Sequence, residues 1–291
     1  MSKAKLSSDE RKSLQPHREP NAKKFLGLSL AGGKTDKACL ALIDFYPKQN
    51  KVFLSKLFHS IKAEENISSD LKISELLISY TSTVETLAVD QPWKLPNCIT
   101  CELKCPGFES CKEPHIQWFW KKQEKDRKLK KALKIFTPYT QRCVETYISS
   151  ELEQTFEISH AMGANSAPLL ARAHFLKKRS PGLKWIECFS PLSVWRLGLH
   201  LKMKKSDLRS YRKSAVGEAC RKQILAHLQD HDVVFLYKED VQIMVSSVHA
   251  FDAFICAYTA YLKETKQTEN RPSDFPKEED WIEFPKQELT V

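Results

Sequence analysis

Residues 86–96, TLAVDQPWKLP, constrain the fold more than any other stretch of the chain. Leu87, Ala88 and Val89 form a short apolar run of the kind that buries a strand, and Asp90 arrives at its end. Gln91-Pro92 then stops it, because proline has no N–H to give to a sheet ladder. An acid leaving the end of a buried strand points into the crevice where open α/β sheets place their chemistry. An Asp just before a proline turn also caps that turn with its own side chain. On this stretch alone both roles stay open.

At 291 residues the chain is long enough for one large or two modest domains with a real core. A hydrophobic share of 42% with mixed charges describes a soluble globular chain. No apolar run reaches the roughly 18 residues a membrane span needs, so no membrane is expected as a partner. Residues 1–23 are polar and charged, with neither an apolar period nor the apolar core of a signal peptide. They read as a disordered basic tail of a cytoplasmic protein. Nine cysteines, an odd number without a secretory signal, fit the same reducing compartment. A net charge of +10 attracts polyanions, of which nucleic acid is the commonest inside cells. Many soluble proteins are moderately basic, so charge supports that partner without establishing it. The sequence sets no oligomeric state.

The rest of the chain, residues 24–290, reads as a single α/β domain. Residues 25–30 and 38–45 make two strands, with Gly32-Gly33 and the polar residues after them as the hairpin. Residues 51–61, KVFLSKLFHSI, are a third β-rich run, completing an antiparallel meander. Ser68-Ser69-Asp70 offers helix-start chemistry, and Ile73, Leu76, Leu77 and Tyr80 recur at helical spacing. That helix delivers the chain to the Asp90 strand. Further helices are expected after His115, over 161–176, over 191–199 and from Val216, with strands at 184–190 and 233–237. Residues 281–285 read as a last apolar segment returning to the core.

Cys98, Cys101, Cys105 and Cys111 crowd into fourteen residues, whereas the other five cysteines are scattered in apolar surroundings, where a thiol packs as a small hydrophobe. Four thiolates at this spacing can close a tetrahedral shell around Zn²⁺, a structural site. An iron–sulfur cluster uses the same ligands. Residues 97–112 are therefore expected to be an inserted four-cysteine metal lobe, and 113–183 a helical insertion. Within the latter, Trp118, Phe119 and Trp120 precede KKQEKDRKLKKALK. Aromatics beside a lysine-rich helix suit a nucleic-acid backbone, while a solvated helix with its aromatics in the core gives the same pattern.

Three more acids stand out. Glu145 sits three residues beyond Arg142, and Glu187 lies inside the apolar strand KWIECFS. An unpaired buried carboxylate is costly, so Glu187 either pairs with an arginine or faces the crevice of Asp90. The helix SVHAFDAFICAYTAYL is apolar nearly all round, which marks it as buried. His249 and Asp252 stand three apart on it and share a face, as a metal and proton-transfer pair would. A structural Asp bonded to a neighbouring loop is the alternative.

The order β-β-β-α-β opens a ribonuclease H-like domain, and it also opens each half of sugar-kinase and actin-type ATPases. The hairpin GLSLAGGKTDKACLAL, then AVDQPWKLP, the cysteine lobe, WIECFSP and VHAFDAFICAYTA together resemble domain of unknown function family 429. That family is regarded as predicted nucleases of the ribonuclease H-like superfamily, and VHAFDA resembles the closing active-site helix of RuvC-type nucleases. The resemblance implies a mixed sheet flanked by helices, and phosphodiester hydrolysis of nucleic acid, DNA or RNA, with Mg²⁺ or Mn²⁺. Asp90 and Asp252 would be the metal ligands, His249 the proton-handling residue, and Glu187 and Glu145 additional acids. One departure matters. The superfamily's first strand presents an Asp where this chain has Ser29, and a hydroxyl is a weak ligand for a hard cation. Asp36 lies in the hairpin beyond it. A catalytically impaired module that binds nucleic acid or a partner is thus the runner-up. An ATPase would need a second glycine-rich loop, which a chain with eight glycines does not offer in its C-terminal half.

Overall fold

Alternation in KKFLGLSL and KACLALIDFY sorts large side chains onto two faces, so these segments can only be strands buried on both sides. The computed structural model describes residues 22–31, 37–131, 136–152, 156, 158, 160–230 and 233–289. The expected basic tail, apart from Ala22 and Lys23, lies outside the described residues, as do the Gly32-Gly33 turn, Asp36 and the end of the lysine-rich run at 132–135.

Seven strands form one sheet: β1 (Lys23–Leu30), β2 (Lys37–Tyr46), β3 (Lys51–Lys62), β4 (Thr86–Val89), β5 (Trp185–Cys188), β6 (Val234–Phe235) and β7 (Ile282–Glu283). Their spatial order is β6-β3-β2-β1-β4-β5-β7. The first three strands are the expected antiparallel meander, and β4, β5 and β7 then add in parallel beside β1. The short strand β6 pairs parallel with β3 and closes the far edge. The described residues also hold ten helices: α1 (Ser69–Tyr80), α2 (Asn97–Thr100), α3 (Pro114–Lys128), α4 (Cys143–Ser150), α5 (Ala167–Arg179), α6 (Ser190–His200), α7 (Lys205–Leu208), α8 (Val216–Asp230), α9 (Lys238–Ser246) and α10 (Val248–Glu264). The architecture is a mixed α/β fold.

The two faces carry separate cores. Phe25, Ala41, Ile43 and Val52 pack under α10 and α8, while Leu26, Leu28, Leu40 and Leu42 pack with α1 and α5. A third cluster, with Trp118, Phe119, Val144 and Phe284, fills the space beyond β7. Serine caps start both helices the sequence marked most strongly. Ser68 Oγ accepts from Leu71 N at 3.2 Å, and Ser247 Oγ accepts from Ala250 N at 3.3 Å.

As the all-round apolar pattern of α10 requires, every residue from 250 to 262 is buried. It crosses β1 at Gly27, where a Cβ would stand 2.0 Å from Ala253 O and 2.2 Å from Ala257 N. Only a glycine lets the helix lie so close to the sheet. That contact sets the depth at which Asp252 enters the molecule.

Two sequence-based boundaries shift. The helix expected over 161–176 begins at Ala167, after turns at 161–166, because Pro168 fits only its first turn. The basic helix after His115 ends at Lys128, where Lys130 turns to a φ of 53°. No single helix among the described residues is long and apolar enough to cross a membrane. The pair α9 and α10 passes that test only together, across a bend of 115°.

Candidate functional site

Asp90 leaves the end of β4 with its N–H held by Leu28 O at 3.0 Å, and Asp252 descends from the first turns of α10. The two buried carboxylates meet over the ends of β1 and β4, in the crevice that was one of the two places the sequence left open for Asp90. Arg212 stands between them. Its Nη2 donates to Asp90 Oδ2 at 2.9 Å and to Asp252 Oδ2 at 2.8 Å.

Protein donors also engage the remaining two carboxylate oxygens. Ser190 N, at the start of α6, donates to Asp90 Oδ1 at 2.8 Å. The Tyr211 hydroxyl donates to Asp252 Oδ1 at 3.0 Å and accepts from Arg212 Nε at 2.8 Å. Burial pushes both carboxyls above the usual carboxylate range, with Arg212 pulling the other way. Burial disfavours the charged guanidinium too, but Asp252, Tyr211 and Asp90 outweigh it and hold its pKa above the ordinary value. At neutral pH the arrangement is two acids sharing one permanent cation.

Local sequence explains why Arg212 is there. It sits on the turn between α7 and α8, held from below by the buried Arg221, which donates to Tyr211 O and, through Nε at 2.9 Å, to Val245 O. Gly217 lets α8 begin against this turn, since a Cβ there would stand 2.4 Å from Tyr211 O. The Arg212 side chain is 45% exposed, so the site opens to solvent on this side.

Ser29, on β1, is buried beside the pair, and its Oγ lies 3.2 Å from His249 Nδ1. His249 itself is exposed at the start of α10, whereas Asp252 one turn later is not. The helix therefore splits the expected pair, His249 toward Ser29 and Asp252 toward Arg212.

Glu187 and Glu145 resolve toward the arginine. Arg142 donates to both Glu187 oxygens at 2.7 Å and, through Nε, to Glu145 Oε1 at 2.8 Å. Ala161 N and His160 complete the shell of Glu145. Burial raises the Glu187 carboxyl, while for Glu145 the His160 and Arg142 bonds overcome burial and hold it low. Glu279, nearby and buried, is pushed up to about 7 by burial. Glu187, Arg142, Asp90 and Arg212 all line one cleft of about 290 Å³, so the two ion networks are neighbours without sharing a partner.

The four lobe cysteines line a single cavity of about 420 Å³ with Phe108 and His115, and none is in a disulfide. Among the described residues no group of three or more His, Cys, Asp or Glu side chains is arranged to hold a metal ion. The aromatics of α3 follow the core alternative: Trp118 and Phe119 are buried, and Trp120 stacks on Phe108 and donates to its carbonyl at 3.3 Å.

The family model described as "Protein of unknown function (DUF429)" matches residues 62–277, and the chain belongs to that family. The match begins at the end of β3, so Ser29 lies outside it. No curated protein and no solved structure matches the chain.

Proposed function

We propose that this chain is a ribonuclease H-like module that binds nucleic acid, with an arginine in the place a divalent cation would take. The carrying observation is that all four oxygens of Asp90 and Asp252 already accept hydrogen bonds from protein donors, two of them from one guanidinium. A hard cation needs several free carboxylate oxygens. Ser29 supplies none at the first-strand position, so with Arg212 between the two acids the residues present do not fit Mg²⁺ or Mn²⁺. The β-β-β-α-β order, the acid at the end of β4 and the second acid on a buried closing helix support the superfamily. The +10 charge supports a polyanionic partner, as do Lys121 and Lys128 of α3, which are exposed, whereas Lys122 and Lys125 pair with Glu151.

Metal-dependent hydrolysis of phosphodiester bonds is the second reading. What favours it is that Arg212 is half exposed on a turn, a position from which it can swing away and bare both acids. Cleavage of labelled single-stranded and duplex DNA and RNA in Mg²⁺ or Mn²⁺ separates the two. The binding reading predicts salt-sensitive binding without cleavage in the wild type. Cleavage that disappears in Asp252→Ala would establish the nuclease instead.

For the cysteine lobe the donor chemistry is that of a closed structural zinc site, and the four cysteines line one cavity. Cys105 and Cys111 lie on irregular backbone outside the sheet and helices, so drawing the four together leaves the rest of the fold in place.

A further inference from the structure

The edge strand β6 is covered on one face only. Val234 points into the first core cluster, and Phe235 points to the other face, 48% exposed. Phe235 continues a row of rings. Centroids lie 5.3 Å apart for Tyr46 and Phe53, 5.4 Å for Phe53 and Phe235, and 5.2 Å for Phe235 and Tyr237. The register builds the row, since Phe53 pairs with Asp44 on one side and Phe235 on the other. None of the four rings belongs to the apolar cluster beneath α1 and α5, and Tyr237 at the end of the row is 57% exposed.

Cations surround it. Lys51 pairs with Tyr46 across the strands, Lys48 lies in the turn between them, and Lys238 follows Tyr237. Asp44 faces Lys24 at 3.9 Å, and Glu239 and Asp240 stand at the start of α9. A row of rings, half-buried at Tyr46 and Phe53 and open at Phe235 and Tyr237, edged by lysines, is matched by exposed bases on an anionic backbone. A duplex keeps its base faces stacked inside, and an acidic protein would use the lysines but leave the rings against water.

We propose that Tyr46, Phe53, Phe235 and Tyr237 form a stacking platform for single-stranded nucleic acid, with the flanking lysines on its phosphates. The inference rests on the nucleic-acid reading above and adds which strand form is bound and where. It places the contact on the β6 edge of the sheet, separate from the Asp90 cleft.

Fluorescence anisotropy tests it on the full chain without added Mg²⁺ or Mn²⁺, with labelled DNA and RNA single strands about 15 nucleotides long and a duplex of the same length. The wild type should prefer single strands. The double variant Phe235→Ala, Tyr237→Ala should weaken that binding about tenfold or more while leaving thermal stability and duplex binding unchanged. The DNA and RNA arms show which strand is preferred. Unchanged single-strand affinity in the double variant overturns the platform and leaves the binding reading standing; no binding of any strand by the wild type removes both. Photo-crosslinking of a thiouridine strand to the wild type gives the answer if the variant misfolds. Adducts on the Phe53, Phe235 or Tyr237 peptides are expected, and adducts confined to other peptides overturn the platform.

Discussion

Arg212 reaches both Asp90 and Asp252 from a turn whose own carbonyl is tied down by the buried Arg221, so its position is imposed by the fold. Removing it leaves two buried carboxylates facing each other with no cation between them. The expected outcome for Arg212→Met is a loss of about 2 kcal/mol near pH 8, less than for a fully buried pair because the guanidinium is half exposed. The sign of its pH dependence follows from the raised carboxyls. The folded variant holds a proton that the unfolded chain has released, so stability falls as pH rises through the folded pKa values. Chemical denaturation at about pH 5 and about pH 8 checks this; a variant equally stable relative to wild type at both would contradict it. Glu279, pushed up to about 7, gives an independent check of the same rule. Glu279→Gln should gain stability relative to wild type on going from about pH 5 to about pH 8, because only the charged form is penalised by burial. Asp90 and Asp252 were legible in the sequence because each interrupts an apolar pattern at a point where an acid needs a reason. Arg212 was not: within KMKKSDLRSYRK nothing in spacing separates it from Arg209 or Lys213. The arginine partner of Glu187 was foreseen as a type, and its identity as Arg142 emerged only from tertiary packing.

At the scale of elements, the strongest periodic signals placed β1 to β4, α1 and α10 close to where the structure has them. Short elements without a period of their own, such as α7 and α9, escaped, as did the late start of α5. The Gly27 crossing was invisible because a lone glycine in a strand carries many meanings, and only the packed helix shows which applies. Gly27→Ala should force α10 off β1 and cost about 3 kcal/mol, or prevent folding, as overpacking against backbone does. A melting temperature within a degree or two of wild type would show that the helix yields easily, contrary to this account. For the cysteine lobe, elemental analysis of protein purified without chelator should find one zinc per chain, released by a thiol-reactive mercurial. Iron with a charge-transfer spectrum would replace zinc by a cluster, and neither metal would refute the lobe as a metal site.

For the whole molecule, charge and shape divide the labour. The acid pair and the Arg142 network sit around one small cleft, closed by their own cations, whereas the open aromatic edge and the lysine-rich helix α3 lie elsewhere on the surface. The general class of fold was readable from the order of elements. Whether its central acids still hold a metal was not, because that depends on one side chain arriving from a distant turn. The most direct measurement is therefore a Mn²⁺ titration followed by electron paramagnetic resonance, comparing wild type, Asp252→Asn, Arg212→Met and the double variant Arg212→Met, Asp252→Asn. An arginine in the cation's place predicts no Asp252-dependent site in wild type, a site gained in Arg212→Met, and its loss in the double variant. A wild-type site that Asp252→Asn abolishes would contradict the account and favour the metal-dependent reading.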